Sequence, residues 1–336
     1  MGSVLVVNAG STTLKLSEVA AGGTTTKLDS LEAASGSVDA VAHRVVHGGE
    51  RFRQPVLIDD DVVREFESLT ELAPLHNAPA LAAIREARRI LPDVPQVAVF
   101  DSAFHATIPE EASTYALPAR VRAWSIRRFG FHGLSVQWAS EQLTVPRLVV
   151  CHLGGGCSVT AVRDGRSIDT TMGFTPLEGV PMATRAGSVD PGALLYLLRH
   201  HLSLVVLDRT LEHESGLAGL SDISGDVREL EASDVPAAEL ALAVFAYRVA
   251  QAVAAMAVGL GGLDVLVFTA GVGEHSAFVR EAVCARLGLL GIELDPGANA
   301  SARPDATVST PESSVRVVVL EAREDLVAAR AARTFV

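Results

Sequence analysis

The sequence predicts an α/β chain of two domains, and three observations predict it. Short apolar, β-branched runs at residues 4–7, 96–100 and 148–152 read as buried strands. Segments with apolar residues at helical spacing, such as 77–91, lie between the strands. One design, a buried strand followed by a small-residue turn and a returning strand, opens the chain and recurs in its middle. The length of 336 residues is long for one core, and 49% apolar residues suffice for two.

Each element follows in order. Residues 4–7 are Val-Leu-Val-Val, residues 8–13 are small and hydroxyl-bearing, and residues 14–19 alternate around Lys15, which reads as a hairpin. Residues 21–37 are rich in Gly, Thr and Ser and predict turns and short strands. Residues 38–46 alternate into a strand ending at His47-Gly48-Gly49. Residues 77–91 form a helix with Arg85, Arg88 and Arg89 outward and Pro92 beyond its end. Asp101 stands at the tip of strand 96–100. The second hairpin runs from strand 148–152 through LGGGCS to 159–162, then turns at Asp164-Gly165 into another strand. Residues 240–263 read as a buried helix, because Ala and Gly dominate and Arg248 and Gln251 interrupt the run. In 264–276 a strand feeds a glycine turn, and a helix follows over 277–287. Residues 324–333 read as a last helix.

The net charge of -12 argues against nucleic-acid or anionic-membrane partners. An anionic ligand therefore needs local positive charge. No basic segment precedes an apolar stretch at the N-terminus, so no signal peptide is expected. Three cysteines, Cys151, Cys157 and Cys284, form no CxxC pair and suit a reducing, cytoplasmic setting. The chain has no GxxxxGK[ST], no GxGxxG after a strand, no HExxH and no GxSxG. P-loop kinases, Rossmann dehydrogenases, zincins and α/β-hydrolases are thereby set aside.

What remains is a set of candidates that each also admit a structural reading. Gly154-Gly155-Gly156 and Gly271-Val272-Gly273 follow apolar strands; each is either a tight turn or a cradle of N–H groups for phosphate oxygens. Three strand-to-small-residue junctions in one acidic chain favour nucleotide binding. Arg44 interrupts an apolar strand and must find a partner there, and Arg185 stands beside glycine. His132, between aromatics and glycines, is either a satisfied core histidine or a donor to developing charge. Asp101 and Glu324 could serve a hard cation such as Mg²⁺, which takes one or two carboxylates besides phosphate oxygens and water. Asp226 and Arg228 could simply start a helix.

The stretches VVNAGSTTLKL, AHRVVHGGERF, LAPLHNAPAL, VFDSAFH, FGFHG, TTMGFTPLEGVPMATRAGSVDP and FTAGVGEHS resemble the acetate/propionate kinase family. They run in family order over nearly the whole chain. The resemblance implies two ribonuclease-H-like domains of the actin/hexokinase type with a nucleotide cleft between them. It implies domains at 1–103 and 104–324, with 325–336 returning to the first. It implies reversible phosphoryl transfer between ATP and acetate, giving acetyl phosphate and ADP. Propionate with the same mechanism, or a catalytically weak nucleotide-binding relative, are the alternatives. Carried over by motif, Asn8 and Glu324 hold Mg²⁺ (or Mn²⁺), Lys15 meets the nucleotide phosphates, and Arg44 holds the substrate. Asp101 is the catalytic acidic residue, an orienter rather than a proton carrier, and His132 and Arg185 stabilise the transition state. His152, Leu153, Gly154, Gly155 and Gly156, with Asp226, Val227 and Arg228, and Gly271, Val272, Gly273, Glu274 and His275, bind ATP or ADP. Val46, Leu75, Phe131 and Pro176 line the pocket for the acetate methyl, and Ser11 and Thr13 offer phosphate-facing hydroxyls. The resemblance also implies a cytoplasmic homodimer.

The chain departs from the family's usual pattern at three nucleotide segments. HLGGGCS stands for HLGNGSS, GVGEH for GIGEN, and Asp226-Val227-Arg228 for DFR. Gly155, Cys157 and His275 therefore bear on nucleotide affinity more than on the chemistry.

Overall fold

The computed structural model describes residues 2–9, 14–34, 38–69 and 74–336, except the side chains of 74–76. Ser11, Thr13 and the Leu75 side chain lie outside the described residues. The chain forms two compact units, one of residues 1–106, 131–138 and 323–336, the other of 107–130 and 139–322.

The strands of the first unit are β1 (Ser3–Ala9), β2 (Leu14–Val19), β3 (Thr25–Leu28), β4 (Val38–Val45), β5 (Val56–Leu57) and β6 (Gln96–Phe100). They form one sheet in the order β3-β2-β1-β4-β6-β5. β1 pairs with β2 as an antiparallel hairpin and with β4 in parallel. Its core positions are apolar on both faces, as a covered central strand requires. Val4 and Val6 pack with Ala40, Ala42, Val97 and Val99 against Val327, Ala328 and Ala332 of the helix Glu324–Arg333. Leu5 and Val7 pack on the other face with Val41, Ala87 and Leu91. Ala87 belongs to the helix Pro74–Ile90. The ring cluster Phe52, Phe66 and Phe100 continues this second face beside Val45 and Ala98.

Residues 131–138 group with this unit, although the sequence division places 104–324 in the second domain. The cause is local. Leu134 and Trp138 pack into the Val4–Val6 face, and Gly133 N–H donates to the Asp101 carbonyl at 2.9 Å.

The second unit holds β7 (Arg147–Leu153), β8 (Cys157–Arg163), β9 (Arg166–Thr170), β10 (Val265–Thr269), β11 (Ala306–Thr307) and β12 (Arg316–Val319). Read from β9, their order is β9-β8-β7-β10-β12-β11. Adding six to each strand number of the first sheet gives the second. The repeat seen in the hairpins is a repeat of the whole sheet. The helix Pro236–Leu260 buries Ala238, Ala241, Leu242, Phe245, Ala246, Val249 and Val253, a helical spacing that lays one stripe on the core. By length and composition it could cross a membrane, but half of its most apolar window is buried inside the unit.

One local expectation changes. Residues 270–275 are not a glycine turn but a short helix, Ala270–His275, followed by the helix Ala277–Cys284. Thr269 ends β10, and Ala270, at φ +65°, reverses the chain at once. Buried Arg280 then donates to the carbonyls of Gly273 (3.0 Å) and Glu274 (2.9 Å), satisfying the helix end from a distance in sequence.

Candidate functional site

The first unit gathers its charged candidates at the C-terminal tips of its parallel strands. Arg44, near the end of β4, forms a two-pronged pair with Asp101, just past β6. Nε donates to Oδ1 at 2.8 Å and Nη2 to Oδ2 at 2.6 Å. Nη1 reaches Glu324 Oε2 at 2.9 Å and Asn8 Oδ1 at 3.4 Å. Asp101 is 1% exposed and Arg44 17%. Burial opposes the guanidinium charge, but Asp101 and Glu324 together hold its pKa above the ordinary value. Arg44 is thus a fixed cation, and the partner it requires within an apolar strand is this acid pair. Lys15 lies opposite Asn8 in the β1–β2 ladder and is exposed.

The final helix places Glu324 at its first position. Glu324 Oε1 is buried and has no hydrogen-bond partner among the described residues. A carboxylate oxygen held this way, beside the Asn8 amide oxygen, suits a hard cation that ligates through oxygen.

His132 stands at φ +60°, just before the helix Gly133–Gln142, and its carbonyl accepts the Val136 N–H at 3.0 Å. A Cβ at Gly133 would collide with the Asp101 carbonyl, so the FHG turn is seated directly on the Asp101 backbone. Phe131 is fully buried, with the His47 ring edge-on at 5.3 Å. His105 Nε2 donates to the Phe131 carbonyl at 2.9 Å, and burial pushes its pKa down to about 4. Val46 is half-buried at the end of β4.

The turn after Val46 is braced by residues that the motif reading passes over. His47 N–H donates to Asn77 Oδ1 (3.2 Å), and Asn77 Nδ2 returns to the His47 carbonyl (3.1 Å). Gly48 N–H donates to Ser102 Oγ at 3.1 Å, which ties the turn to the Asp101 tip. Asn77 shows a weak sign in the sequence, as a polar residue on the buried stripe of its helix.

The second unit assembles the glycine segments. Gly154–Gly156 turn between β7 and β8, closed by Gly154 N–H to the Gly156 carbonyl at 3.0 Å. Cys157 Sγ donates to the Gly154 carbonyl at 3.3 Å, and burial pushes its pKa up to about 12. It is a structural thiol. Ala183 N–H donates to the Gly155 carbonyl at 3.3 Å. A Cβ at Gly225 would lie 2.6 Å from the Ala183 carbonyl, so the 225–228 segment rests on the same stretch. A Cβ at Gly154 would lie 3.6 Å from Ala270 Cβ, which brings in the third segment. His152 and Leu153 are buried at the end of β7.

Around these loops, Asp226 caps the helix Val227–Glu231 and pairs with exposed Arg228 at 2.6 Å. Val227 is a buried core residue. His275 Nδ1 donates to the Gly271 carbonyl at 3.0 Å, one helical turn back within Ala270–His275. Glu274 accepts the Ala322 N–H at 2.9 Å. Arg185 donates through Nη1 to the Pro176 carbonyl at 3.0 Å and lies 3.7 Å from Glu212. Burial lowers its pKa, and Glu212 partly offsets the shift.

The two candidate sets thus divide by unit. Asn8, Lys15, Arg44, Val46, Asp101, Phe131, His132 and Glu324 belong to the first, and Pro176, Arg185 and the glycine segments to the second. Charged side chains dominate the first set, and backbone N–H groups the second.

Comparison with known proteins matches residues 17–330 to the model of the Acetokinase family. The chain is 48% identical over 300 residues to an acetate kinase of Nostoc punctiforme, which spans 86% of this chain and 74% of that protein. A propionate kinase from Francisella tularensis superposes with a TM-score of 0.93 at 32% identity, covering 99% of this chain and 100% of that one. Acetate kinase from Porphyromonas gingivalis superposes at 0.88 with 33% identity, covering 99% of each. These neighbours share the two-domain α/β fold expected from the resemblance.

Proposed function

The chain belongs to the Acetokinase family, and we propose that it transfers the γ-phosphoryl group of ATP to acetate, reversibly, giving acetyl phosphate and ADP. The observation that carries this reading is the buried Arg44–Asp101 fork, with Glu324 and Asn8 on the remaining guanidinium nitrogen.

In the forward direction an acetate oxygen forms a bond to the γ-phosphorus as the bond to the bridging oxygen breaks. The electron pair of that broken bond leaves with ADP. The attacking carboxylate is already ionised near neutral pH, so no strong general base is needed. Asp101 is better placed to orient than to take a proton, since both its oxygens are committed to Arg44. Arg44, fixed by that pair, then offers positive charge at its Nη1–Nη2 edge to a carboxylate or a phosphoryl oxygen. His132 and Arg185 neutralise charge spread over the moving phosphoryl group, the dominant task in such transfers. Lys15 and backbone N–H groups of the glycine segments hold the nucleotide phosphates. Asn8 and Glu324 would hold Mg²⁺ or Mn²⁺, which supplies charge neutralisation on the phosphates when bound. By motif, Val46, Leu75, Phe131 and Pro176 are the residues proposed for the acetate methyl. A cytoplasmic homodimer completes the reading.

A preference for propionate is the second reading, favoured by the Francisella propionate kinase superposition. One methylene in an apolar pocket separates the two by only about 1–3 kcal/mol. Trapping the acyl phosphate as a hydroxamate, with acetate, propionate and butyrate in turn, decides between them through kcat/KM. Acetate is expected to lead propionate by about tenfold. A butyrate preference overturns the assignment, and no acyl phosphate alongside measurable ATP binding leaves a nucleotide-binding relative without turnover.

A further inference from the structure

The loop that carries Pro176 is held by three side chains for which neither the motif reading nor the family resemblance supplies a role. Arg128 Nη1 donates to three successive carbonyls, Thr170 (2.9 Å), Thr171 (2.9 Å) and Met172 (3.1 Å). Its Nη2 donates to Glu178 Oε1 at 2.9 Å. The other oxygen of Glu178 accepts the Tyr115 hydroxyl, and that hydroxyl in turn accepts the Phe174 N–H at 2.9 Å. The guanidinium carbon also sits 5.8 Å from the centre of the Tyr115 ring. Gly173 has no room for a Cβ, because Glu178 and Tyr115 already fill that space. Segment 170–178 is thus tied at its start, middle and end by one guanidinium, one carboxylate and one phenol. A lone surface salt bridge would do little, but these groups share partners and are mostly enclosed.

This brace has two outputs toward the reaction. The Pro176 carbonyl, two residues before Glu178, accepts Arg185 Nη1 at 3.0 Å, so the braced loop sets where that guanidinium lies. On the other side, Phe129 N–H donates to the Gly173 carbonyl at 2.9 Å, and the chain runs on from there directly into Phe131 and His132. Gly155 meets the Arg185 turn through backbone, its carbonyl accepting the Ala183 N–H at 3.3 Å, rather than through the three bracing side chains.

The geometry points to Arg128, Glu178 and Tyr115 as positioning residues that fix Pro176, proposed for the acetate methyl, and through it Arg185, proposed for the moving phosphoryl group, and so set acetate selectivity without holding the nucleotide. This rests on the acetate kinase reading. Small displacements of such supports cost turnover steeply, up to about 10²-fold for 1 Å.

The test compares Arg128→Lys and Tyr115→Phe with the unaltered chain. KM for acetate, propionate and ATP, kcat, and thermal midpoint are measured together. A lysine ammonium cannot span three carbonyls and Glu178 at once. Arg128→Lys is therefore expected to raise KM for acetate about tenfold and lower kcat, with KM for ATP moving less than about twofold. The acetate-to-propionate ratio of kcat/KM is expected to fall in the same variant. Tyr115→Phe keeps the guanidinium and is expected to show the same pattern at about a third of the size. Acetate and ATP constants that rise in step with a falling thermal midpoint would mean scaffolding only and overturn the proposal. So would an unchanged acetate-to-propionate ratio. If Arg128→Lys does not fold, an unaltered selectivity in Tyr115→Phe overturns it alone. An unaltered chain that makes no acyl phosphate strikes the kinase reading instead, whereas an active one with insensitive variants strikes only the brace.

Discussion

The two sheets share one strand order and differ in what stands at matching positions. Asp101 N–H donates to the Val45 carbonyl at 3.0 Å, and Leu320 N–H to the Phe268 carbonyl at 3.0 Å, which fixes the correspondence. By the strand pairings, Arg44 then matches Val267, Asn8 matches Val150, and Asp101 matches Leu320. The second unit is apolar where the first carries its charges, and Val150, Val267 and Leu320 are buried core residues. Topology alone therefore does not require the charges. A fold that is stable with Val, Val and Leu there carries Asn, Arg and Asp in its other copy for a different reason. The glycines diverge the other way. In the first unit a Cβ at Gly133 or Gly48 would collide with backbone, whereas at Gly155 and Gly271 it would meet nothing within 4 Å.

Removing the arginine alone is the largest perturbation. Arg44→Ala leaves the Asp101 carboxylate buried without its partner, and such losses run to about 3–5 kcal/mol. Acetyl phosphate formation is expected to fall by at least about 10³-fold. The double change Arg44→Met with Asp101→Leu moves the first unit toward the second. It is expected to recover most of the stability in urea titrations while activity stays lost. A double variant no more stable than Arg44→Ala would show that the charges hold the fold as well.

Acidification separates the units next. His43 sits beside Arg44 on β4, and its counterpart is Leu266, a buried apolar residue. Burial pushes the pKa of His43 down to about 4 despite its 2.7 Å contact with Gln96, and His105 is pushed to a similar value. The unfolded chain binds these protons near pH 6.5 and the folded chain only near 4, so stability falls as pH drops through that interval. The loss is roughly 3 kcal/mol per histidine by pH 4. His43→Leu is expected to remove about half of the acid slope, at a neutral-pH cost from the stranded Gln96 oxygen of about 1–3 kcal/mol. Urea midpoints across pH 4–7 that keep their full slope in His43→Leu would refute the assignment.

Much of this contrast was legible in the sequence, and the reasons for the remainder are physical. The strands at β1, β4, β6 and β7 and the helix Glu324–Arg333 show as periodicity, because each buries a face whose spacing the backbone dictates. Arg44 announced itself as a charge within an apolar run, but not its partners, which lie 57 and 280 positions further along the chain. Long-range pairing leaves no local trace. The helix Ala270–His275 was hidden by its glycines, since Arg280 and the reversal at Ala270 supply what helical propensity does not. The brace on 170–178 was invisible for the same cause as the Arg44 partners: Arg128 and Glu178 are ordinary charges until the fold joins them.

The open glycines give a subtler separation. Gly155→Ala and Gly271→Ala meet no protein atoms within 4 Å, and neither residue has positive φ. Each variant is expected to keep its thermal midpoint, and Gly271→Ala to gain slightly, since alanine favours a helix by about 1 kcal/mol over glycine. A methyl group facing incoming phosphates should instead raise KM for ATP about tenfold and leave KM for acetate unmoved. Equal rises for both substrates would mean that these glycines do not serve the nucleotide.

The smallest effect belongs to Arg228. It is 85% exposed and held mainly by Asp226, two residues before it. Contact with Arg228 pulls the Asp226 pKa down to about 2, but at an exposed position this adds little to folding. Arg228→Ala should leave the thermal midpoint within about 2 °C, because surface changes away from caps and cores rarely do more. If Arg228 meets the nucleotide, the variant should show KM for ATP raised about threefold at low ionic strength. The difference should shrink toward nothing near 1 M salt, where the Debye length is about 3 Å. A core or capping role would behave oppositely, with a salt-independent loss of stability and no change in KM. Asp226, which caps the helix Val227–Glu231 through the Arg228 N–H, supplies that contrast within the same motif. Asp226→Ala is expected to lower stability by about 1 kcal/mol at any ionic strength.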